Sequence, residues 1–472
     1  MTRRLSPAAM TLALCLSASA WGQWSTDPQH NSAVANVAGA SQVQPQITAR
    51  ADGHWWISWF ALHPQGTPPL GYGVYLQRLG PDGKEQFVHQ GIEVAKLGLR
   101  STEDYGLATD AQGNALLAYQ DDRLPAAPTA ITASKLDSSG NLLWNSMTAY
   151  FGHSPRVAVL PDGQSMVGWT VDANALRLRK LDALGQPVWR TPRGQPLDYI
   201  LFEPNVSYQL ADLQATPDGS VIFSFVRGNG TFGTRQLYAN KMSPGGQLLW
   251  GPGHARIFEG GSLQQGNFPR FVADGVGGAV FAWYSVAPQL QVFAQHVLAN
   301  GQLAFPPDGV PVSTDLRQAR VGPSVSYQPG TGETTVFWTE LDSAATQSQR
   351  AVYAQKLDAR GVRQWGEGGR ALQPLAAQGI TDLRSAPVAG GTLAFWVQSG
   401  AQPSIQGIKL DAAGAPLCAQ FAVSTRPADK SRLTSGVAPS GQALLAWQEP
   451  GATQGSAIYT QAVRADCTLG GQ

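Results

Sequence analysis

The sequence predicts an all-β fold, a single eight-bladed β-propeller of four-stranded blades, closed by an N-terminal strand that completes the last blade. Three observations predict it: one unit recurs eight times at a spacing of about 55 residues, each copy carries an aromatic at one fixed offset and six carry a second, and glycine turns punctuate the strands. The cleanest copy is Ala351 to Arg370, AVYAQKLDARGVRQWGEGGR. Its first half alternates, with Val352, Ala354 and Lys356 on one side and Tyr353, Gln355 and Leu357 on the other, as a half-buried strand does. Gly361 breaks the strand, and Gln364 and Trp365 are expected to begin the next.

Composition agrees with that architecture. The 472 residues are 43% hydrophobic and 14% charged, with 53 Gly and 14 Trp, which suits many short strands joined by tight turns. Net charge is +1 with Lys and Arg scattered singly, so neither nucleic acid nor an anionic membrane surface is expected as a partner.

The chain opens on an address. Arg3 and Arg4 precede an apolar run from Ala8 to Leu16, and Ala18 and Ala20 offer small residues for cleavage, so residues 1–22 read as a signal peptide cut after Ala20 or Gly22. Leu14 stands where a lipoprotein signal needs a small residue before Cys15, which argues against acylation. A secreted or periplasmic, monomeric protein is expected, with no transmembrane segment, because no later stretch reaches the roughly 20 apolar residues a spanning helix needs. The mature chain keeps Cys418 and Cys467, expected to form a disulfide in an oxidising compartment.

In order along the mature chain, the first strand of each unit ends in a glycine turn: Gly53, Gly113, Gly163, Gly219, Gly277, Gly332, Gly390 and Gly441. The second strand carries an aromatic about six residues on, namely Trp59, Tyr119, Trp169, Phe225, Trp283, Trp338, Trp396 and Trp447. The third repeats the YAQKLD pattern, and its turn leads to a second aromatic column: Phe87, Trp144, Trp189, Trp250, Phe305 and Trp365, with Cys418 in the corresponding place of the seventh unit. The eighth unit ends near Asp466 and Cys467 without a fourth strand, whereas Gln23 and Trp24 match Gln364 and Trp365 before any first strand has appeared. Residues Gln23 to Val37 are therefore expected to fill the empty slot and remove an open sheet edge.

Units of the form YAQ-x-L-D-x-x-G-x-x-x-W resemble propeller repeats of secreted bacterial proteins, over nearly the whole mature chain. Leu136, Asp137, Gly140 and Trp144 are also similar to the L-D-x-x-T-G-x-x-x-W blades of the eight-bladed quinoprotein-like propellers, a family that includes an outer-membrane assembly scaffold. The resemblance implies the fold. Asp to Gly is one residue shorter here, so a quinone site is not carried over, and no cofactor is expected.

Motifs for chemistry are sparse. The run Gly228 to Gly233 satisfies G-x-G-x-x-G but bridges two expected strands and opens no helix, so no amide row awaits a pyrophosphate. There is no H-E-x-x-H or G-x-S-x-G, and the Pro-Asp-Gly triplets are turns without further carboxylates. Ligands of propellers gather on the face bearing the loops between second and third strands. The longest such loops are Ala61 to Gly73, Asp121 to Thr129, Arg227 to Arg235 and Leu341 to Gln349, and they offer Asp121, Asp122 and Arg123 as candidate ligand-binding residues.

A second candidate set comes from counting back about 13 residues from the second-strand aromatic, which reaches Arg156, Arg270 and, with a shorter turn, Arg384, while Asp212 holds the same place in the fourth unit. Strand alternation turns these charges toward the axis, where guanidinium groups from separate blades would take a carboxylate or phosphate. The competing reading is that Arg and Asp pair with one another at a partly buried rim. Two functions stay open: a binding or scaffold module for a protein or glycan ligand, or a carbohydrate-active or quinoprotein-like enzyme with its site at the channel mouth.

Overall fold

The computed structural model describes residues 24–62, 71–98, 104–123, 129–148, 151–172, 174–230, 233–451 and 454–471. The signal-peptide segment, Cys15, and parts of the loops at 61–73, 121–129 and 227–235 lie outside the described residues. Among the described residues there is no helix, and so none long and apolar enough to cross a membrane.

Strands run as consecutive antiparallel hairpins. The sixth unit is representative: Ala319–Gln328, Glu333–Leu341, Arg350–Leu357 and Arg370–Ala376 form one sheet in sequence order from inner to outer strand. The second, third, fourth and seventh units are likewise four-stranded. The fifth has five strands because its inner strand comes in two pieces, Ser262–Leu263 and Phe271–Ala273, both paired to Ala279–Ala287. The first and eighth units share one eight-stranded sheet, joined by a single parallel pair, Ser41 with Ser456. In that sheet the N-terminal strand Ser32–Ala35 pairs antiparallel with Ser456–Val463. Inner strands of neighbouring units lie side by side, including Ser431–Val437 of the eighth against Ser41–Ala49 of the first. The fold is a β-propeller.

The first aromatic column forms the core between sheets. Trp59, Trp169, Trp283, Trp338, Trp396 and Trp447 are all fully buried. The second column does something the alternation pattern does not foretell. A Cβ on Gly185 would stand 2.6 Å from the Trp144 ring of the preceding unit, so that ring lies flat against a glycine that has none. The same joint recurs as Phe87 on Gly140, Trp189 on Gly246, Trp250 on Gly301, Phe305 on Gly361 and Trp365 on Gly414, and Trp24 lies on Gly83. Four of the five indoles also donate to the next turn, Trp24 Nε1 to the Pro81 carbonyl at 2.8 Å, Trp144 to Ala183 at 2.9 Å, Trp250 to Ala299 at 3.0 Å and Trp189 to Pro244 at 3.4 Å, while Trp365 Nε1 has no partner among the described residues. Between the seventh and eighth units the positions of ring and glycine are taken by Cys418 and Cys467, joined as a disulfide. Cys467 has φ +70, the left-handed conformation that the turn glycines share.

The joints also correct one expectation. Gln364 and Trp365 do not begin the outer strand; only the bridge Leu357 to Arg363 forms there, and the strand starts at Arg370. In this unit the chain leaves the ladder where Trp365 turns onto the next unit, and an amide replaces the missing ladder bonds, whereas Trp144 makes the same joint from within the paired strand Leu142–Met147. Gln355 Oε1 accepts the Trp365 N–H at 2.9 Å while its Nε2 donates to the Gly366 carbonyl at 2.6 Å. Gln77, Gln295 and Asn240 clamp Phe87, Phe305 and Trp250 in the same manner. This is the physical content of the Gln in YAQKLD. Replacing Gln355 with Leu strands a buried donor and acceptor and is expected to cost about 2–3 kcal/mol, seen as a lower melting temperature by calorimetry; no change would mean that water serves the same backbone groups.

Candidate functional site

Six inner strands carry one extra residue at the same height, whereas that of the second unit, Gly106–Thr109, pairs without a slip. In the third unit His153 faces Thr170 but Arg156 faces Gly168, and in the seventh Thr381 faces Val397 but Arg384 faces Phe395. The first, fourth, sixth and eighth units slip by the same single residue. An inserted residue bends the strand and turns its neighbours out of the ladder. Gln44, Ser154, Asp382 and Arg432 sit at these bulges with φ between +50 and +57, a conformation that costs a non-glycine residue free energy and recurs where structure serves a ligand.

The bulges ring the mouth of a cavity of about 1040 Å³, whose lining takes in Gln44, Asp104, Ser154, Asp382, Arg384 and Arg432. Its charged lining consists of five arginines and two aspartates, Arg156, Arg235, Arg270, Arg384 and Arg432 with Asp104 and Asp382, plus His153. That excess stands out in a chain of net charge +1, and low-dielectric walls focus the resulting field.

The three arginines named from sequence line this one cavity, Arg156 and Arg384 two residues past a bulge and Arg270 at the end of a longer loop, but they are not equivalent. Arg156 is consumed by the fold. Its side chain is 7% exposed, Nε donates to the Ala211 carbonyl of the next unit at 3.2 Å, Nη1 to Pro155 at 3.1 Å and Nη2 to Asp104 at 2.5 Å. Burial pushes its pKa down, with Asp104 opposing. Arg270 reaches the other oxygen of Asp104 at a looser 3.4 Å and keeps 51% of its side chain exposed, facing the cavity it lines. Arg384 makes its one hydrogen bond among the described residues to the carbonyl of Leu383, 2.7 Å away. Burial lowers its pKa; Asp382 opposes, and the charges of Arg270 and Asp104 reach it from other units.

Asp104 links these groups. Burial raises its pKa, yet Arg156 first and Arg270 second outweigh burial and hold the carboxyl below its ordinary range. Asp212 does not line this cavity but a smaller one of about 350 Å³, together with Arg156 and Arg270. Its Oδ2 accepts from Gln214 Nε2 at 2.8 Å and from the Phe271 N–H at 3.3 Å, tying the fourth unit to the fifth. Asp121, Asp122 and Arg123 stand apart from the cavity lining. Asp121 is fully buried and accepts from Arg123 Nε at 2.8 Å and Thr132 at 2.8 Å, while Asp122 accepts from the Gly98 N–H at 2.5 Å. Asp121 and Arg123 thus pair with each other, while Asp122 ties the second unit to Gly98 of the first.

Sequence reasoning missed Asp104, Asp382 and Arg432. The bulges themselves leave a signal in three units, where Gln44-Pro45, Ser154-Pro155 and Gly322-Pro323 lie within the inner strand and proline, lacking an N–H, is tolerated in a strand at a bulge; nothing comparable marks Asp104, Asp382 or Arg432.

No family model and no curated protein matches this chain. Solved structures do. A prolyl endopeptidase matches at 12% identity and TM-score 0.48 over 89% of this chain and 54% of its own, the Dos1 propeller at 11% and 0.42 over 91% and 93%, and an acylaminoacyl peptidase of Pyrococcus horikoshii at 10% and 0.42 over 88% and 58%. The chain thus spans about half the length of the two peptidases. At these identities and TM-scores, no residue or activity of theirs carries over to the channel mouth.

Proposed function

We propose that this chain is an exported, monomeric, eight-bladed propeller that acts as a binding module, taking a small anionic ligand, carboxylate or phosphate, at the mouth of its channel. The observation that carries the reading is the pair Arg270 and Arg384, directed into one cavity from separate units, with Asp104 bonded mainly to Arg156 and only loosely to Arg270. Guanidinium groups hold carboxylate and phosphate oxygens through paired donors. The eight-blade count rests on the joints: seven aromatic-on-glycine contacts and one disulfide make a cycle that returns from the eighth unit to the first through Trp24 and Gly83. The disulfide also suits an oxidising compartment, as the N-terminal address requires.

The enzyme alternative needs a carboxyl poised near neutral pH. Asp104, held ionised by two arginines, is unsuited to act as a general acid. Titration calorimetry of the purified protein at low salt tests the binding reading with small carboxylates and phosphate. The wild type is expected to bind, and Arg384→Gln to weaken binding about tenfold or more, the worth of one charge-assisted hydrogen bond. If the wild type binds no small anion, the arginines serve only to balance Asp104 and Asp382, and the site reading falls.

A further inference from the structure

The fifth unit breaks the pattern of the ring. In six other units the inner strand carries one extra residue, but here Leu263 faces Ser285 and Phe271 faces Phe281, so the inner chain spends eight residues against four on its partner. The excess forms a loop, residues 264–270, most of which lines the cavity, and leaves Ala282, Trp283 and Tyr284 beside that cavity without an inner-strand partner. An insertion four times larger than its counterparts, placed at the mouth of a channel, is where a propeller would build a pocket of its own.

Two side chains there have hydrogen-bond donors with nothing to donate to. Both Asn267 and Arg235 line the cavity, and the buried Asn267 Nδ2 and Arg235 Nε have no hydrogen-bond partner among the described residues. Arg235 has no carboxylate within salt-bridge distance among the described residues. Its Nη2 donates to the neutral Gln209 Oε1 at 2.5 Å and its guanidinium lies 5.9 Å from the Phe268 ring centroid. Burial lowers its pKa, and no neighbouring charge offsets that. A desolvated cation beside an unused amide donor asks for an acceptor that carries charge.

We propose that Arg235 and Asn267 form a second anion station, separate from Arg270 and Arg384, so that the channel selects a ligand bearing two acidic groups. This rests on the anionic-ligand reading above and deepens it. The first acid meets Arg384 and Arg270; the second is accepted between Arg235 Nε and Asn267 Nδ2, with Phe268 fixing the guanidinium plane. A mono-acid occupies the first station alone and gains nothing from the second, whereas a di-acid of matching length engages both and pays the entropy of association once.

The test is calorimetric titration of the wild-type protein with acetate and butyrate against the straight-chain dicarboxylates from malonate to suberate. The best dicarboxylate is expected to bind at least tenfold more tightly than butyrate, with an optimum in chain length. Arg235→Gln and Asn267→Ala are each expected to weaken that dicarboxylate about fivefold or more and leave butyrate unchanged, while Arg384→Gln weakens both classes. Asn267 lies in the loop, outside any strand, so its variant keeps the test valid if Arg235→Gln does not fold. Equal binding of butyrate and every dicarboxylate, with both lost in Arg384→Gln, overturns the second station and leaves the single-anion reading standing. Binding of neither class by the wild type overturns both, and the orphan donors are then met by water.

Discussion

Removing residues 24–40 lowers the melting temperature by about 10 °C or more. Two losses add. The strand Ser32–Ala35 leaves the edge of Ser456–Val463, whose Thr460, Tyr459 and Ile458 then face solvent along an unpaired ladder. Trp24, 4% exposed, leaves Gly83, and with it goes the bond from its Nε1 to Pro81. Truncating a buried Trp costs about 3–5 kcal/mol. The strand brings the total to roughly 5 kcal/mol or more, and each kcal/mol moves the melting temperature of a chain this large by about 2 °C. Differential scanning calorimetry reads the shift, and Trp24→Ala alone should give more than half of it. A truncated protein that melts with the full chain would show that the first and eighth units hold together without the N-terminal strand, and the closed cycle of joints would be wrong. A truncated protein that precipitates through the bared strand agrees with closure, since long open edges recruit other chains.

Much of the fold is legible in the sequence because a propeller repeats its local rules. Alternation marks the strands, and a glycine with a ring at fixed offsets marks the two columns. What the sequence hides is direction: Trp365 reads as a strand residue, since nothing in the chain says that its partner, Gly414, belongs to the next unit. The site is less legible for a related reason. Counting back from the aromatic reached Arg156, Arg270 and Arg384, and the register sets Arg156 opposite Gly168 and Arg384 opposite Phe395, each just before its buried Trp. Counting does not say which charges are already spent. Arg156 is spent on Asp104 and the Ala211 carbonyl, and Asp104 sits two residues ahead of Gly106, which holds the register position of Arg156 in the second unit. A bulge adds one residue and looks like ordinary variation in loop length, and the fifth unit's four-residue excess is hidden the same way.

The joint between the seventh and eighth units gives the sharpest test of the repeat, because it performs with sulfur what the others perform with a ring. Changing both cysteines to Ala removes a cross-link over a sequence separation of 49 and is expected to cost about 2–4 kcal/mol in oxidised protein. Changing them instead to Cys418→Trp with Cys467→Gly restores the pattern of Trp365 on Gly414. The glycine also relieves the φ of +70 that Cys467 holds, a conformation that costs a side-chain residue roughly 1 kcal/mol. If the units are equivalent, the indole at 418 lies flat on the turn at 467 and donates to the Ala465 carbonyl. That carbonyl already accepts from Lys409 Nζ at 2.8 Å and has a second lone pair free. The Trp–Gly protein should therefore recover at least half of the stability lost in the Ala–Ala protein. Its melting temperature should also be indifferent to dithiothreitol, whereas that of the wild type falls on reduction. A Trp–Gly protein no more stable than the Ala–Ala one would mean that the eighth unit does not sit against the seventh as the others sit against their neighbours, and the disulfide would then be a clasp peculiar to that place.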